Sequence, residues 1–170
     1  MKKTLYLKFL LAYVIFGIFG FIIISVFVPK LTVEQLTREK ANTLYSEATL
    51  IADRYGSGLY TSDTSLESVK NQLDALSVYL DSDIWIINPS GRMVLTTEYP
   101  LNVDEVVIIE NFDPTLTANS YYNVSNFFNY YDEAMLNVIA PITTNYKVNG
   151  YVVIHASMAS VYESSNSLLT

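Results

Sequence analysis

No cysteine occurs in the 170 residues, so disulfides, thiol nucleophiles and cysteine-based metal sites are excluded, and a domain outside the cytoplasm would have to fold without crosslinks. Histidine is almost as scarce. His155 stands alone, which removes any two-histidine metal pair and the HExxH arrangement. Serine and cysteine nucleophile arrangements want either a base or a thiol. The few glycines form no GxGxxG and no GxxxxGK[ST]. No catalytic residue, metal site or cofactor is therefore expected. Positive charge is also short: from Pro29 onward seven Lys and Arg face all seventeen acids, a formal charge of −10. Nucleic acid and anionic lipid surfaces are both polyanions and make poor partners for such a segment. Cations remain compatible with it, as does simple solubility.

What the chain does contain is one long apolar run, Leu5 to Val28, with Lys8 as its sole charge. As a helix it is roughly 36 Å long, enough to cross a hydrocarbon core of about 30 Å with some tilt. A cleavable signal peptide is the competing reading. The run exceeds the roughly 7 to 15 residues of a signal h-region and lacks an A-x-A-like exit, which favours an uncleaved anchor. Lys2 and Lys3 before it and Lys8 near its start, against Lys30 just after, favour an inside N-terminus. Gly17 and Gly20 are three apart, not the four of a GxxxG packing face.

Beyond Pro29, which suits a first turn or a kink, Leu44, Ala48, Ile51, Tyr55 and Leu59 recur at helical spacing. This stripe suits packing on the domain's own sheet or on the same helix of a second subunit. Gly56-Ser57-Gly58 loosens or ends the helix. After a turn at Thr61 to Thr64, a second helix is expected from Leu66 to about Leu80, capped by Ser65 and Ser68. Asp83-Ile84-Trp85-Ile86-Ile87-Asn88, the turn Pro89-Ser90-Gly91 and Arg92 to Thr97 read as a hairpin. Pro100 to Leu116 reads as an irregular connection with short helices. Three more strands are expected at Asn119 to Phe128, Glu133 to Thr143 and Val148 to Ala156, then a terminal helix from about Ser157.

The anchor, the exit helix, the D-I-W-I-I-N-P-S-G-R-M-V-L strand pair and the final A-P-I-(loop)-V-N-G-Y-V-V-I-H hairpin together resemble the extracytoplasmic PAS-like (Cache) sensor domains of bacterial membrane receptors, especially sensor histidine kinases. The resemblance implies an α+β fold: an N-terminal transmembrane helix, then a five-stranded antiparallel sheet packed on a long N-terminal helix, with a small-ligand or protein-contact face opposite. It divides the chain into a cytoplasmic N-terminus (1–4), a membrane span (5–28), an exit helix (29–60), the sensor domain (61–156) and the start of a C-terminal helix (157–170) leading to a second span. It implies a homodimer in the bacterial cell membrane that senses a small ligand or an envelope protein. Kinase activity would belong to a longer parent chain. A chemoreceptor, a cyclase receptor and a self-contained membrane-anchored binding protein remain as alternatives.

Period-two sorting divides the last strand into Val152, Ile154 and Ala156 on one face and Tyr151, Val153 and His155 on the other. Its partner sorts into Leu136, Val138, Ala140 and Ile142 against Met135, Asn137 and Ile139. The apolar faces should meet the long helix. The mixed faces should then carry the ligand contacts, with Asn137, Tyr151 and His155 as the candidates, if Asn137 pairs opposite His155 about a loop centred near Tyr146. A one-residue slip would undo this. Trp85, alternating with Ile87, is expected in the core. The acids Asp104, Glu105, Glu110, Asp113, Asp132 and Glu133 are open to divalent-cation sensing or, more simply, to a solvated face.

Overall fold

The computed structural model describes residues 2–56, 58–59, 65–101, 106–117 and 121–166. The expected turn at Thr61 to Thr64, and Asp104 and Glu105, lie outside them. The chain divides into two compact units, Met1–Leu36 and Thr37–Thr170. In the first, helix α1 (Lys2–Ile51) begins; its apolar residues from Tyr6 to Val28 are exposed nearly throughout. α1 is the one helix among the described residues long and apolar enough to cross a membrane. It includes Pro29, beside which the Thr32 hydroxyl donates to the Val28 carbonyl at 2.9 Å.

In the second unit, α1 buries Ala41, Leu44, Ala48 and Ile51, so the stripe is used within one chain. At Ala52 the helix widens into a π-helical turn, Ala52–Gly56, which packs on the last two strands, and Gly58 and Leu59 are again helical. Helix α2 (Leu66–Leu80) starts where the Ser65 hydroxyl accepts from Ser68 N–H and buries Val69, Leu73 and Leu80. Its C-cap, Asp81, is left-handed, and the Lys40 ammonium donates to the Leu80 carbonyl at 3.2 Å.

The sheet contains β1 (Asp83–Ile87), β2 (Met93–Thr96), β3 (Tyr122–Ser125), β4 (Met135–Thr144) and β5 (Lys147–Ser157), all antiparallel, in the order β2-β1-β5-β4-β3. Helix α3 (Met158–Asn166) follows. The β1–β2 turn is built by Asn88, whose side-chain oxygen accepts from the Ser90 and Arg92 N–H groups, each at 3.0 Å. Gly91, at φ +84°, passes so close to the Val107–Ile109 segment that a Cβ there would lie 2.7 Å from the Ile109 carbonyl oxygen. That segment covers the outer edge of β2 through Met93 N–H to Val107 and Ile109 N–H to Gly91, protecting an edge that would otherwise be open to strand addition. The connection holds one short 3-10 helix, Pro114–Thr117.

Asn137 pairs with His155, as the face argument required. The route to that register differs from a loop centred on Tyr146. Asn145 and Tyr146, both at positive φ, make a two-residue turn of the twist-matched kind. Alone it would pair the strands one residue out, and a bulge between Gly150 and Val148 restores the phase. The apolar face (Leu136, Val138, Ala140, Ile142, Val152, Ile154, Ala156) is buried, as are Ile84 and Ile86 of β1. Contacts of Tyr121 with Asn42 and Tyr45, and the π turn on β4 and β5, place α1 after Thr37 against it.

Candidate functional site

β1, β4 and β5 present a second face on which Asp83, His155 and Asn137 lie opposite one another across neighbouring strands. The long strand expected at Asn119 to Phe128 stops at Ser125, because the chain must turn back over this face. Phe127, Phe128 and Asn129 all adopt the left-handed conformation, at φ 45°, 56° and 62°. A non-glycine residue is disfavoured there by roughly 1–2 kcal/mol. The turn is held by Tyr131 N–H to the Asn126 carbonyl, 3.1 Å, and by the Asn126 amide on Asn129, 2.9 Å. Strain of this kind persists where surrounding structure over-determines it, and is found at ligand clamps.

The turn drives Phe127 into the sheet face, where it is 1% exposed. Its ring meets His155 at 4.5 Å and Trp85 at 5.6 Å between centroids. Tyr130 and Tyr131 follow it onto Trp85 at 4.6 and 5.8 Å, and Tyr131 also reaches His155 at 5.2 Å. Trp85 is core, as its alternation suggested, and simultaneously a wall of this cluster.

Polar chemistry enters through Asn137, which is fully buried. Its amide nitrogen lies within 3.1 Å of four acceptors: Asn123 Oδ1, the Ser125 carbonyl and hydroxyl, and the Met135 carbonyl. The oxygen of the same amide therefore faces His155 Nδ1, at 2.7 Å. Nδ1 must carry the proton and donate, which leaves Nε2 with a lone pair. Nε2 finds no partner among the protein atoms, and neither do Trp85 Nε1 and Tyr131 Oη. These are the buried side-chain polar atoms without a partner among the described residues, and all three belong to one aromatic cluster. Each such atom costs about 1–3 kcal/mol when left unmade.

Burial pushes the His155 pKa down from 6.5 to about 3. The groups around it are acidic: desolvation first, and then Asp81, raises Asp83, while desolvation raises Glu98, which accepts from Tyr130 Oη at 3.1 Å. Desolvation and Glu98 raise both tyrosines. Between pH 6.5 and 3 the unfolded chain binds the histidine proton and the native one does not, so stability falls as pH falls. By pH 5 the loss should reach about 2 kcal/mol. Asp83 and Glu98, with raised folded pKa values, act in the opposite sense, and their window opens nearer the ordinary carboxyl values of 3.8 and 4.5. Urea midpoints between pH 7 and 5 measure the difference. A flat profile would mean that His155 is protonated in the native state.

Beside this cluster a cavity of about 300 Å³ opens at the end of the sheet, and His155 is the residue the two share. The last turn of α2 contributes Ser77 and Val78, β1 and its approach contribute Asp81, Ser82 and Asp83, and the ends of β4 and β5 contribute Met135 and Ser157. A broader groove of about 800 Å³ lies between α2 and Thr97 to Leu101. Its buried Lys70 is already paired with Asp74.

No family model and no curated relative matches the sequence. Solved structures do. The V. cholerae histidine kinase DctB sensor domain superposes with a TM-score of 0.52 at 14% identity, over 79% of this chain and 56% of that one. The ligand-binding domain of the Campylobacter jejuni chemoreceptor Tlp3, solved with L-valine, superposes with a TM-score of 0.54 at 10% identity, over 78% and 58%. The fold is that of a PAS-like sensor domain. This chain spans a little over half the length of either structure.

Of the three residues expected on the PAS-like ligand face, the structure brings Asn137 and His155 into direct contact. Tyr151 shares the face but packs on Phe112, at 5.8 Å between centroids, about 13 Å along the strand from His155. Trp85, Phe127, Tyr130, Tyr131 and Asp83 are additions the sequence reading did not assign to the site. The pair Phe127-Phe128 looked like strand by composition. Its flanking asparagines, which tolerate left-handed backbone and bond to nearby N–H groups, were the signal for a turn. Of the suggested cation acids, Glu110, Asp132 and Glu133 are exposed and Asp113 accepts from Thr115. Among the described residues no three His, Asp or Glu side chains converge as a metal site.

Proposed function

We propose that this chain is the extracytoplasmic signal-sensing region of a bacterial transmembrane receptor, the N-terminal part of a two-component sensor histidine kinase. Residues 5–28 form the span, 29–60 the exit helix, 61–156 the sensor domain and 157–170 the start of the return helix. The receptor works as a homodimer, and a small ligand on the mixed face of the sheet biases two packings of α1 and α3. The observation that carries the reading is the combination in one chain of a PAS-like sheet with an exposed apolar helix of membrane-spanning length. Asn137, Tyr151 and His155 remain the ligand-face residues, with the orphaned polar atoms around His155 as its centre. A chemoreceptor is the second reading, supported by the similarity to the Tlp3 ligand-binding domain.

Alkaline phosphatase fused after Thr170 should be active in a bacterial host, and green fluorescent protein at the same junction dark. The opposite pattern would place the sheet in the cytoplasm and remove the sensor reading.

A further inference from the structure

His155, the one histidine of the chain, is 0% exposed. Three rings close over it: Trp85 at 4.3 Å between centroids, Phe127 at 4.5 Å and Tyr131 at 5.2 Å. Nδ1 already donates to Asn137, so a second proton can enter only at Nε2, which is buried and meets no acceptor. The closed cluster therefore excludes an imidazolium, whose new N–H would go unmatched and whose charge would go unsolvated. Of the three rings, Trp85 is fixed within β1, between β2 and β5. The other two belong to the turn 126–131. Among the described residues that turn is bonded as a unit: its hydrogen bonds join its own members and Ser125, whose hydroxyl accepts from Phe127 N–H at 3.3 Å. Beyond these, the Tyr130 hydroxyl reaches Glu98 and Tyr99. The turn can leave the sheet face without breaking a strand pairing, and its three left-handed residues are held in place by the packing they would give up.

We infer that residues 126–131 are an acid-released flap: proton uptake at His155 is coupled to withdrawal of Phe127 and Tyr131 from the sheet face, so that external acidification is an input to this domain. Calling the opening a signal rests on the sensor reading above; the opening itself does not. Histidine is the side chain whose charge ordinarily changes between pH 5 and 8. Once the flap is open and Nε2 meets water, each further pH unit below the ordinary histidine value favours the open state about tenfold. The groups around the imidazole are acids and phenols. Asp83 stands opposite it on β1, Asp81 lines the adjoining cavity, and Glu98 and Tyr99 lie against Tyr130 and Tyr131. Lys40 is bonded to the Leu80 carbonyl at the end of α2. Asp83 and Glu98, raised by burial, favour the closed flap as they protonate and so act against the histidine. Their effect grows toward lower pH, which leaves the histidine to dominate above about pH 5.5.

The test is amide hydrogen exchange on the full chain in detergent micelles at pH 7.5, 6.5 and 5.5, with protection factors corrected for the intrinsic rate at each pH. The N–H groups of Tyr130 and Tyr131, bonded to the Phe127 and Asn126 carbonyls, report the flap, and those of β5 report the sheet. At pH 7.5 the flap should be less protected than β5, as a segment that opens locally is. Its protection should then fall by about tenfold by pH 5.5, the gain in open population when the open state takes up the proton near pH 6.5 and the closed one does not. His155→Phe removes the titrating group and should make the flap's protection independent of pH over this range. Asn137→Asp gives a second arm should His155→Phe fail to fold: its carboxylate lets the imidazole charge inside the closed cluster, so the fall should shrink. Flap protection that is flat with pH in the parent, equal to that of β5, falling alike in folded His155→Phe, or falling undiminished in Asn137→Asp would overturn the inference. None of these outcomes touches the sensor reading, which stands or falls on the fusion result.

Discussion

Replacing Trp85 by alanine is expected to lower the unfolding free energy by about 3–5 kcal/mol. The indole is wholly buried and touches Phe127, Tyr130, Tyr131 and His155. Its removal leaves a hole that the sheet cannot close, because β1 is fixed on both edges by β2 and β5. The left-handed turn loses its support at the same time, since Phe127 and the two tyrosines hold their backbone in place by packing on that ring. Trp85→Phe separates volume from polarity. It gives up part of the ring but also removes an N–H that has no partner among the protein atoms. The two effects offset, and the variant should fall within about 1.5 kcal/mol of the parent. Denaturant midpoints followed by far-ultraviolet circular dichroism give both numbers. Equal losses in the two variants would show that the indole N–H is satisfied, and the site would then have one orphan fewer.

The aromatic cluster marks where the sequence stops being legible. The period-two alternation of β4 and β5 is written in Leu136, Val138, Ala140 and Ile142 against Val152, Ile154 and Ala156, and a buried face leaves a strand little choice of register. The pairing of Asn137 with His155 could therefore be read before the turn that produces it. The turn itself could not, because a two-residue turn with a bulge and a three-residue loop give the same register. Residues 126–128 failed for a different reason. Aromatic side chains favour strands on average, but local composition does not record that Phe127 has an opposing face to fill. Only the assembled sheet, with Trp85 and His155 side by side, supplies the contacts that hold three left-handed residues in a row. The end of α1 is similar: the apolar stripe runs on to Leu59, and nothing in it marks the π turn into which the helix widens at Ala52, against β4 and β5. The cavity at the end of β1 was the least visible of all, since Asp81, Asp83 and His155 come from parts of the chain that topology alone unites.

Asn137→Leu is expected to destabilise the domain by roughly 2–4 kcal/mol, although the two side chains are close in size. The leucine leaves His155 Nδ1–H and the Met135 carbonyl without the amide that served them, and a buried group left unpaired costs about 1–3 kcal/mol. Asn123 and Ser125 lie on the edge strand, half-exposed, and can turn to water. The distinctive consequence is chemical. Without an acceptor at Nδ1 the imidazole is no longer held as the Nδ1–H tautomer. Asn137→Asp keeps an oxygen facing Nδ1 and should keep the tautomer, while its negative charge raises the His155 pKa from its depressed value. The imidazole ¹⁵N shifts of the single histidine distinguish the cases directly: Nδ1–H in the parent and in Asn137→Asp, a mixture in Asn137→Leu. An unchanged tautomer in folded Asn137→Leu would mean that the aromatic rings, and not the amide, orient His155.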